Sequence, residues 1–349
     1  MKKRVTMQTI ADALGVGKVT VSRAFKGDPK CGAALRAKIL AKAEALGYAP
    51  DPLQRVHMAQ LRAGTAAEQG AVIVMLDVHD RGRGLEENVS NARFVRGARD
   101  RAESIGLKLE VFRPFADGIP LQRLMGIFRA RGIHGLIMGP VPEERSELDL
   151  KLDGVAAVAI AHSLRAPALH RVGHNHYAAL RSVMERMYAQ GTRRFGLALQ
   201  PDMDARVGQR WHAAFSEFRR THTSCRFSFY EPELSVAEKM PDEATRRAME
   251  AWLDAEEPGV VFGISAWLPA ALAVLRPEGG CRYVDLDWYP GKFPMPVAGI
   301  DQNFEGIGAA AVDEIMALWG RQEYGVPEAS KTILLQGGWR GGFIDNRSA

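Results

Sequence analysis

The chain has 349 residues, 46% of them apolar and 25% charged, the balance of a globular protein too long for one small domain. No apolar run approaches the roughly 18 residues of a membrane span, and Met1-Lys2-Lys3-Arg4 runs into a polar helix rather than a secretory segment, so no membrane association is expected. Cys31, Cys225 and Cys281 lie too far apart in sequence to suggest a disulfide framework or zinc spacing, which fits a reducing cytoplasm.

Charge is unevenly placed. Residues 1–64 hold twelve Lys and Arg against four Asp and Glu, a net +8, while the whole chain is +5, which leaves −3 for the remainder. Thr6 is placed to cap a first short helix, in which Ile10, Ala11 and Leu14 form one apolar face. Gly15 supplies the freedom for a sharp turn. A second helix, about 18–25, turns Val21 and Phe25 inward and leaves Lys18, Val19, Ser22 and Arg23 outside. This is a helix-turn-helix pattern, whose second helix lies in the DNA major groove, and the local positive charge suits phosphate neutralisation. A plain helical cap with a solvated basic face is the bland alternative.

A third helix, about 33–46, carries Leu35, Ile39, Leu40, Ala43 and Leu46 as its buried stripe and ends at Gly47-Tyr48. Asp51-Pro52 suits the start of a further helix reaching Gly64, and 64–70 reads as a linker. Beyond it, strand patterns at 71–76, 107–112, 135–139, 155–160, 195–199, 260–264 and 282–286 alternate with helical patterns near 90–105, 119–131, 177–190, 206–221, 243–255, 266–275 and 304–318. Such alternation predicts an α/β fold with parallel sheets covered on both faces. Seven strands exceed one ordinary domain, so two doubly wound subdomains are expected.

The headpiece resembles the lac-repressor (LacI/GalR) family of bacterial transcription factors. Val5-Thr6, Ile10-Ala11, Leu14-Gly15-Val16, Thr20-Val21-Ser22-Arg23 and Glu44-Ala45-Leu46-Gly47-Tyr48-Ala49-Pro50 match the family pattern in order. The likeness continues through Phe94–Ala98, 124–139, Arg171-Val172-Gly173-His174-Asn175 and Asp301-Gln302 with Ile307-Gly308. It implies a headpiece at 1–50, a hinge helix and linker at 51–69, and a periplasmic-binding-protein-like core at 70–349. The core would comprise an N-subdomain of about 70–172 and 301–333 and a C-subdomain of about 173–300 and 334–349. Ligands of open α/β sheets bind beyond strand carboxyl ends, which independently points to the cleft between the two.

The resemblance also implies roles. Lys18 and Val19 stand where family members read operator bases, and Arg23 matches a DNA-contacting arginine. Lysine suits guanine O6/N7 and valine a thymine methyl, with phosphate contact the plainer role for Lys18. Thr6, Thr20, Ser22 and Tyr48 are candidate phosphate or sugar contacts. In the hinge, Gln54-Arg55-Val56-His57 replaces the usual A-R-x-L, so His57 takes the place of a leucine that wedges between bases, with Gln54 and Arg55 beside it. In the cleft, Asp287 matches an aspartate that binds effector hydroxyls or amines, and Arg206 and Arg210 compete for an effector-binding arginine position. Ser265-Ala266 replaces a family N-D pair, and Trp267, Trp211 and Trp288 are either stacking faces or core.

His170, His174 and His176 cluster near the crossover without metal-ligand spacing, so no metal is expected. No catalytic or nucleotide-binding motif is present, so neither an enzyme nor a cofactor is expected. The resulting expectation is a cytoplasmic, nucleoid-associated regulator, a repressor. It would bind a pseudo-palindromic double-stranded operator as a homodimer and respond to a small polar effector, a sugar or derivative. The alternative is a soluble small-molecule-binding module with a non-specific or vestigial DNA-binding head.

Overall fold

The computed structural model describes residues 7–26, 31–46, 48, 72–231, 243–276 and 280–341, within two compact units, Met1–Arg62 and Ala63–Ala349. Thr6, Gln54, Arg55 and His57, together with the helix expected after Asp51, lie outside the described residues.

The first unit holds α1 (Met7–Leu14), α2 (Lys18–Lys26) and α3 (Ala33–Ala45). Gly15 takes φ +63°, the left-handed conformation the tight α1–α2 turn needs. Ile10, Ala11, Val21, Ala24, Cys31, Ile39 and Ala43 are buried together, with Met7, Leu14, Phe25, Leu35 and Leu46 packed around them. Leu40, expected in the buried stripe of α3, is 38% exposed. With Ile39 and Ala43 facing the core, Leu40 falls a helical step outside that face.

The second unit is built on two six-stranded sheets. The first runs in the order β11-β5-β4-β3-β1-β2, from β1 (Val72–Leu76), β2 (Lys108–Phe112), β3 (Gly135–Met138), β4 (Ala156–Ile160), β5 (His170–His174) and β11 (Thr332–Leu335), all parallel. The second runs β12-β10-β9-β8-β6-β7, from β6 (Arg194–Ala198), β7 (Arg226–Tyr230), β8 (Val260–Gly263), β9 (Arg282–Asp285), β10 (Ala298–Asp301) and β12 (Gly338–Arg340). Its strands are parallel except β12, which pairs antiparallel with β10 at the edge.

Helices cover both faces of each sheet. On the first, α4 (Val89–Ser104) and α11 (Phe304–Arg321) bury Phe94, Val95, Ile307, Val312 and Ile315 on one face, while α5 (Leu121–Ala130) buries Leu124 and Phe128 on the other. On the second, α6 (His176–Ala189) and α8 (Arg210–Thr221) pack opposite α9 (Glu243–Glu256) and α10 (Leu268–Leu275). Strands β3, β4 and β8 are buried along their whole length, which is why they read as unbroken apolar runs.

Two further findings correct the sequence pattern. The helix expected over 206–221 is broken: α7 (Pro201–Ala205) ends, Gly208 and Gln209 take φ of +69° and +56°, and α8 begins only at Arg210. Strands β5, β7, β10, β11 and β12 were not among the expected ones. β7, β11 and β12 are sheet edges, only half-buried or exposed, so they lack the apolar runs of the central strands.

The chain passes between the two sheets three times: from β5 into α6, from β10 into α11, and from β11 into β12. In each sheet the winding reverses beside the first strand, between β1 and β3 and between β6 and β8. Ligands bind outside strand carboxyl ends at such reversals. The two reversals therefore define the candidate cleft.

Candidate functional site

The headpiece presents a sorted surface. The inner face of α2 gives Val21 and Ala24 to the core, and Arg36 of α3 donates from Nε to the Ala24 carbonyl at 3.1 Å. The N–H groups of Thr20 and Val21 donate to the Gly17 carbonyl at 2.8 and 3.2 Å, which fixes the first turn of α2. Lys18, Val19 and Arg23 are exposed on the other side, Val19 to 63%, and Thr20 and Ser22 are half-buried beside them. An isolated solvent-facing valine at the start of a basic helix contributes nothing to the core. Tyr48 packs its ring tilted against Phe25, with the centroids 5.5 Å apart.

In the second unit, Asp287 lies two residues beyond β9. Its carboxylate accepts from Ser90 Oγ of α4 at 3.4 Å, across the cleft, and from Gln302 Nε2 at 3.2 Å. Burial pushes this carboxyl up to about 6, with Lys292 pulling the other way. Lys292 Nζ is spent mainly on the fully buried Asp285, at 2.8 Å. Across the first reversal, Asp77 accepts the N–H groups of Leu85 and His79 at 2.9 and 3.1 Å.

Arg206 and Arg210 both follow β6. Arg206 is exposed and donates from Nη2 to the Val141 carbonyl beyond β3 at 3.2 Å, bridging the two sheets' strand ends. Arg210 is half-buried and donates from Nη1 to the Val207 carbonyl at 3.0 Å. Asp204 is buried and caps α8, accepting from the N–H groups of Trp211 and His212 at 3.0 and 3.1 Å. Ser265 likewise caps α10, accepting the Leu268 N–H at 3.2 Å.

The tryptophans part company. Trp211 is wholly buried, edge-on to His176 at 4.8 Å, so it is core. Trp267 is half-buried against the α9–α10 cluster. Trp288 lines a hollow of about 260 Å³ with Tyr289, Phe293, Met295 and Gly341, beside the start of β10.

The histidine cluster differs in membership from the expected one. His170 sits at the opposite end of β5 from His174, and its Nδ1 accepts the Lys331 N–H at 3.1 Å. Its place is taken by His162, in the loop after β4, whose ring lies 6.0 Å from His176, itself 4.9 Å from His174. Burial holds all three far below the ordinary imidazole value, at about 3, 4 and 2 for His162, His174 and His176. Among the described residues no group of three potential ligands is arranged for a metal ion, and no helix is long and apolar enough to cross a membrane. The three cysteines are free.

Sequence reasoning missed His162, Ser90, Arg93 and Lys292. The strand-end rule that selects Asp287 also selects His162, two residues past β4. Ser90 and Arg93 carry no such signal, being polar residues one turn apart on a helix.

Residues 6–51 match the family model described as bacterial regulatory proteins, lacI family. The headpiece is that of the lacI family. The chain is 28% identical over 203 residues to the HTH-type transcriptional regulator Rv3575c of Mycobacterium tuberculosis, a match over 56% of this chain and 52% of that protein. It is 24% identical over 222 residues to the HTH-type transcriptional regulator TreR of Salmonella typhimurium, over 64% and 65% respectively. The matched stretch thus spans between about half and two thirds of the curated relatives' length. Among solved structures, the lac repressor dimer bound to operator and the anti-inducer ONPF aligns over 97% of this chain and 98% of its own, with a TM-score of 0.53 and 18% identity. That likeness is one of fold: a lacI-type headpiece joined to a two-sheet, periplasmic-binding-protein-like core.

Proposed function

We propose that this lacI-family chain is a sequence-specific transcriptional regulator, a repressor, that binds a pseudo-palindromic operator as a homodimer. The observation that carries the reading is the headpiece: a packed helix-turn-helix whose second helix exposes Lys18, Val19 and Arg23. Val19 and Lys18 read bases; Arg23, Thr20, Ser22 and Tyr48 hold the backbone. Thr6, Gln54, Arg55 and His57 are assigned to DNA from sequence alone, with His57 at the wedge position.

A small polar ligand of the carbohydrate type occupies the cleft, against Asp287, Arg206 or Arg210, and Ser265, with Trp267 and Trp288 as candidate aromatic faces. The support is that Asp287 meets Ser90 and Arg206 meets the Val141 carbonyl, two contacts that join the strand ends of both sheets. Ligand and operator then alter each other's affinity by the same factor.

Selection of the full chain on a random duplex pool, followed by anisotropy titration of the selected palindrome against a scrambled duplex, tests the reading. A preference of at least about a thousand-fold is expected. Equal affinity for both duplexes overturns it in favour of a ligand-binding module with a non-specific head.

A further inference from the structure

We propose that the cleft ligand carries an anionic group, a phosphate or a carboxylate, and that Arg210 receives it on a carboxylate-free wall completed by Arg171, His162 and His176. This rests on the cleft being a ligand site and adds the ligand's charge.

The first argument is a missing counter-ion. Among the described residues, the partners of three arginines at this side of the cleft are all carbonyl oxygens. Arg171 donates to Ala161 and Leu164, both at 2.8 Å, Arg206 to Val141, and Arg210 to Val207. Asp204, the nearest acid in sequence to Arg206 and Arg210, is committed to capping α8 and to His212 Nδ1 at 2.6 Å. A guanidinium offers five N–H donors, and Arg210 uses one here.

The second argument is that these groups face one another. Burial lowers the basicity of Arg210 itself. After burial, the charge of Arg210 is what further depresses Arg171 and His162, and it acts on His176 as well. Arg210 of α8 therefore acts on basic groups from β5, the loop after β4 and α6, and the His162 and His176 rings lie 6.0 Å apart. His174, by contrast, lies within the field of Asp301.

The third argument is unmet hydrogen bonding. His162 Nε2 and His176 Nδ1 are buried without a partner, and His176 is only 4% exposed. Buried polar atoms in folded proteins rarely stay unpaired. A phosphate or carboxylate accepts several charge-assisted hydrogen bonds at once and neutralises the adjacent cation.

The opposite wall is different. Asp285, Asp287 and Asp301 are already supplied with donors by Lys292, Gln302 and Arg93. Asp287 lies two residues beyond β9, and Arg210 opens α8 on the far side of β8, twelve residues beyond β6. A six-carbon sugar bearing a terminal phosphate or carboxylate offers hydroxyls to one wall and an anion to the other. Hydroxyls then face Asp287 and the anion faces Arg210.

The test is calorimetric titration of the full chain with matched pairs: glucose and glucose 6-phosphate, fructose and fructose 6-phosphate, ribose and ribose 5-phosphate, glucose and gluconate. We expect binding by at least one anionic member and none by its neutral counterpart. The phosphate and carboxylate arms tell the two anions apart. Arg210→Gln weakens that binding about ten- to a hundred-fold, and Arg210→Lys less. The melting temperature of each unliganded variant checks folding, and if Arg210→Gln does not fold, Arg210→Lys and the matched pairs decide. Equal binding of neutral and anionic partners overturns the proposal while leaving the cleft a ligand site. Unchanged affinity in folded Arg210→Gln, or no binding by any anion of the set, also overturns it. None of these outcomes bears on duplex selection, which tests the regulator reading separately.

Discussion

Arg93 of α4 and Asp301 at the end of β10 meet at 2.9 Å, with their side chains only 10% and 12% exposed. The same guanidinium reaches Glu305 at the start of α11 at 2.7 Å. One side chain therefore ties α4 to both sides of a chain crossing. Removing one partner of a buried pair strands the others, at a cost of about 3–5 kcal/mol. Arg93→Ala is expected to lower the stability of the second unit by about that amount in urea unfolding, with the melting of the headpiece unchanged. A loss below about 1 kcal/mol would show that water replaces the guanidinium.

The contact between α4 and α11 depends on two glycines. A Cβ on Gly97 would lie 2.0 Å from the Glu305 carbonyl oxygen, and one on Gly308 2.1 Å from that of Phe94. Both obstacles are backbone, so the helices must separate. Gly308→Ala is expected to cost about 3 kcal/mol. Gly126→Ala, inside α5 with open space around it, is expected to gain about 0.5–1 kcal/mol through helix propensity. Chemical denaturation of the two variants checks the opposite signs.

In the headpiece, Ile39 is fully buried and Val19 is exposed. Ile39→Ala is expected to cost about 2–5 kcal/mol and to unfold the headpiece. Val19→Ser should change stability by no more than about 0.5 kcal/mol while changing the bases chosen in duplex selection. An unchanged preference would remove Val19 from base reading.

Legibility followed burial. β1, β3, β4 and β8 are covered on both faces and announce themselves as apolar runs. β5, bounded by His170 and His174, and the short edge strands β11 and β12 offer no such run, so only pairing reveals them. The break at Gly208-Gln209 was invisible for a different reason. The apolar spacing of Trp211, Phe215 and Phe218 continues the helical period backward past the point where the backbone turns left-handed. In the cleft, Asp287, Arg206 and Arg210 are singled out by their likeness to family positions, and Asp287 also follows a strand end. The pairing of His162 with His176 is not, since it joins a loop to a helix start fourteen residues on.

The histidines carry a pH dependence. His162, His174 and His176 are neutral in the fold, with values of about 3, 4 and 2 against an ordinary value near 6.5. Their folded values are depressed, so the unfolded chain binds protons first. Stability is full above about 6.5 and falls as pH drops below it, by about 2 kcal/mol per group at pH 5. Urea unfolding at pH 7.5 and pH 5 should show the loss, and His176→Phe should reduce it by about a third. An equal loss in that variant would assign the acid sensitivity elsewhere.

Asp287 carries the opposite sign. Its folded value of about 6 lies above the unfolded one, because burial disfavours the carboxylate despite Lys292 and the Ser90 hydrogen bond. The fold bears that penalty in full above about pH 6 and sheds it as pH falls toward 4. Two pKa units correspond to about 3 kcal/mol, reduced here because the side chain keeps 21% exposure. Asp287→Asn removes the charge and keeps an acceptor for Ser90. It is therefore expected to stabilise the second unit by about 1–2 kcal/mol at pH 8 and by nothing at pH 4. If the ionised carboxylate serves the ligand's hydroxyls as proposed, the same variant should lose calorimetric binding of whichever compound the native chain takes. A variant less stable at pH 8, with ligand binding intact, would make Asp287 a structural group and move the hydroxyl-binding wall away from β9.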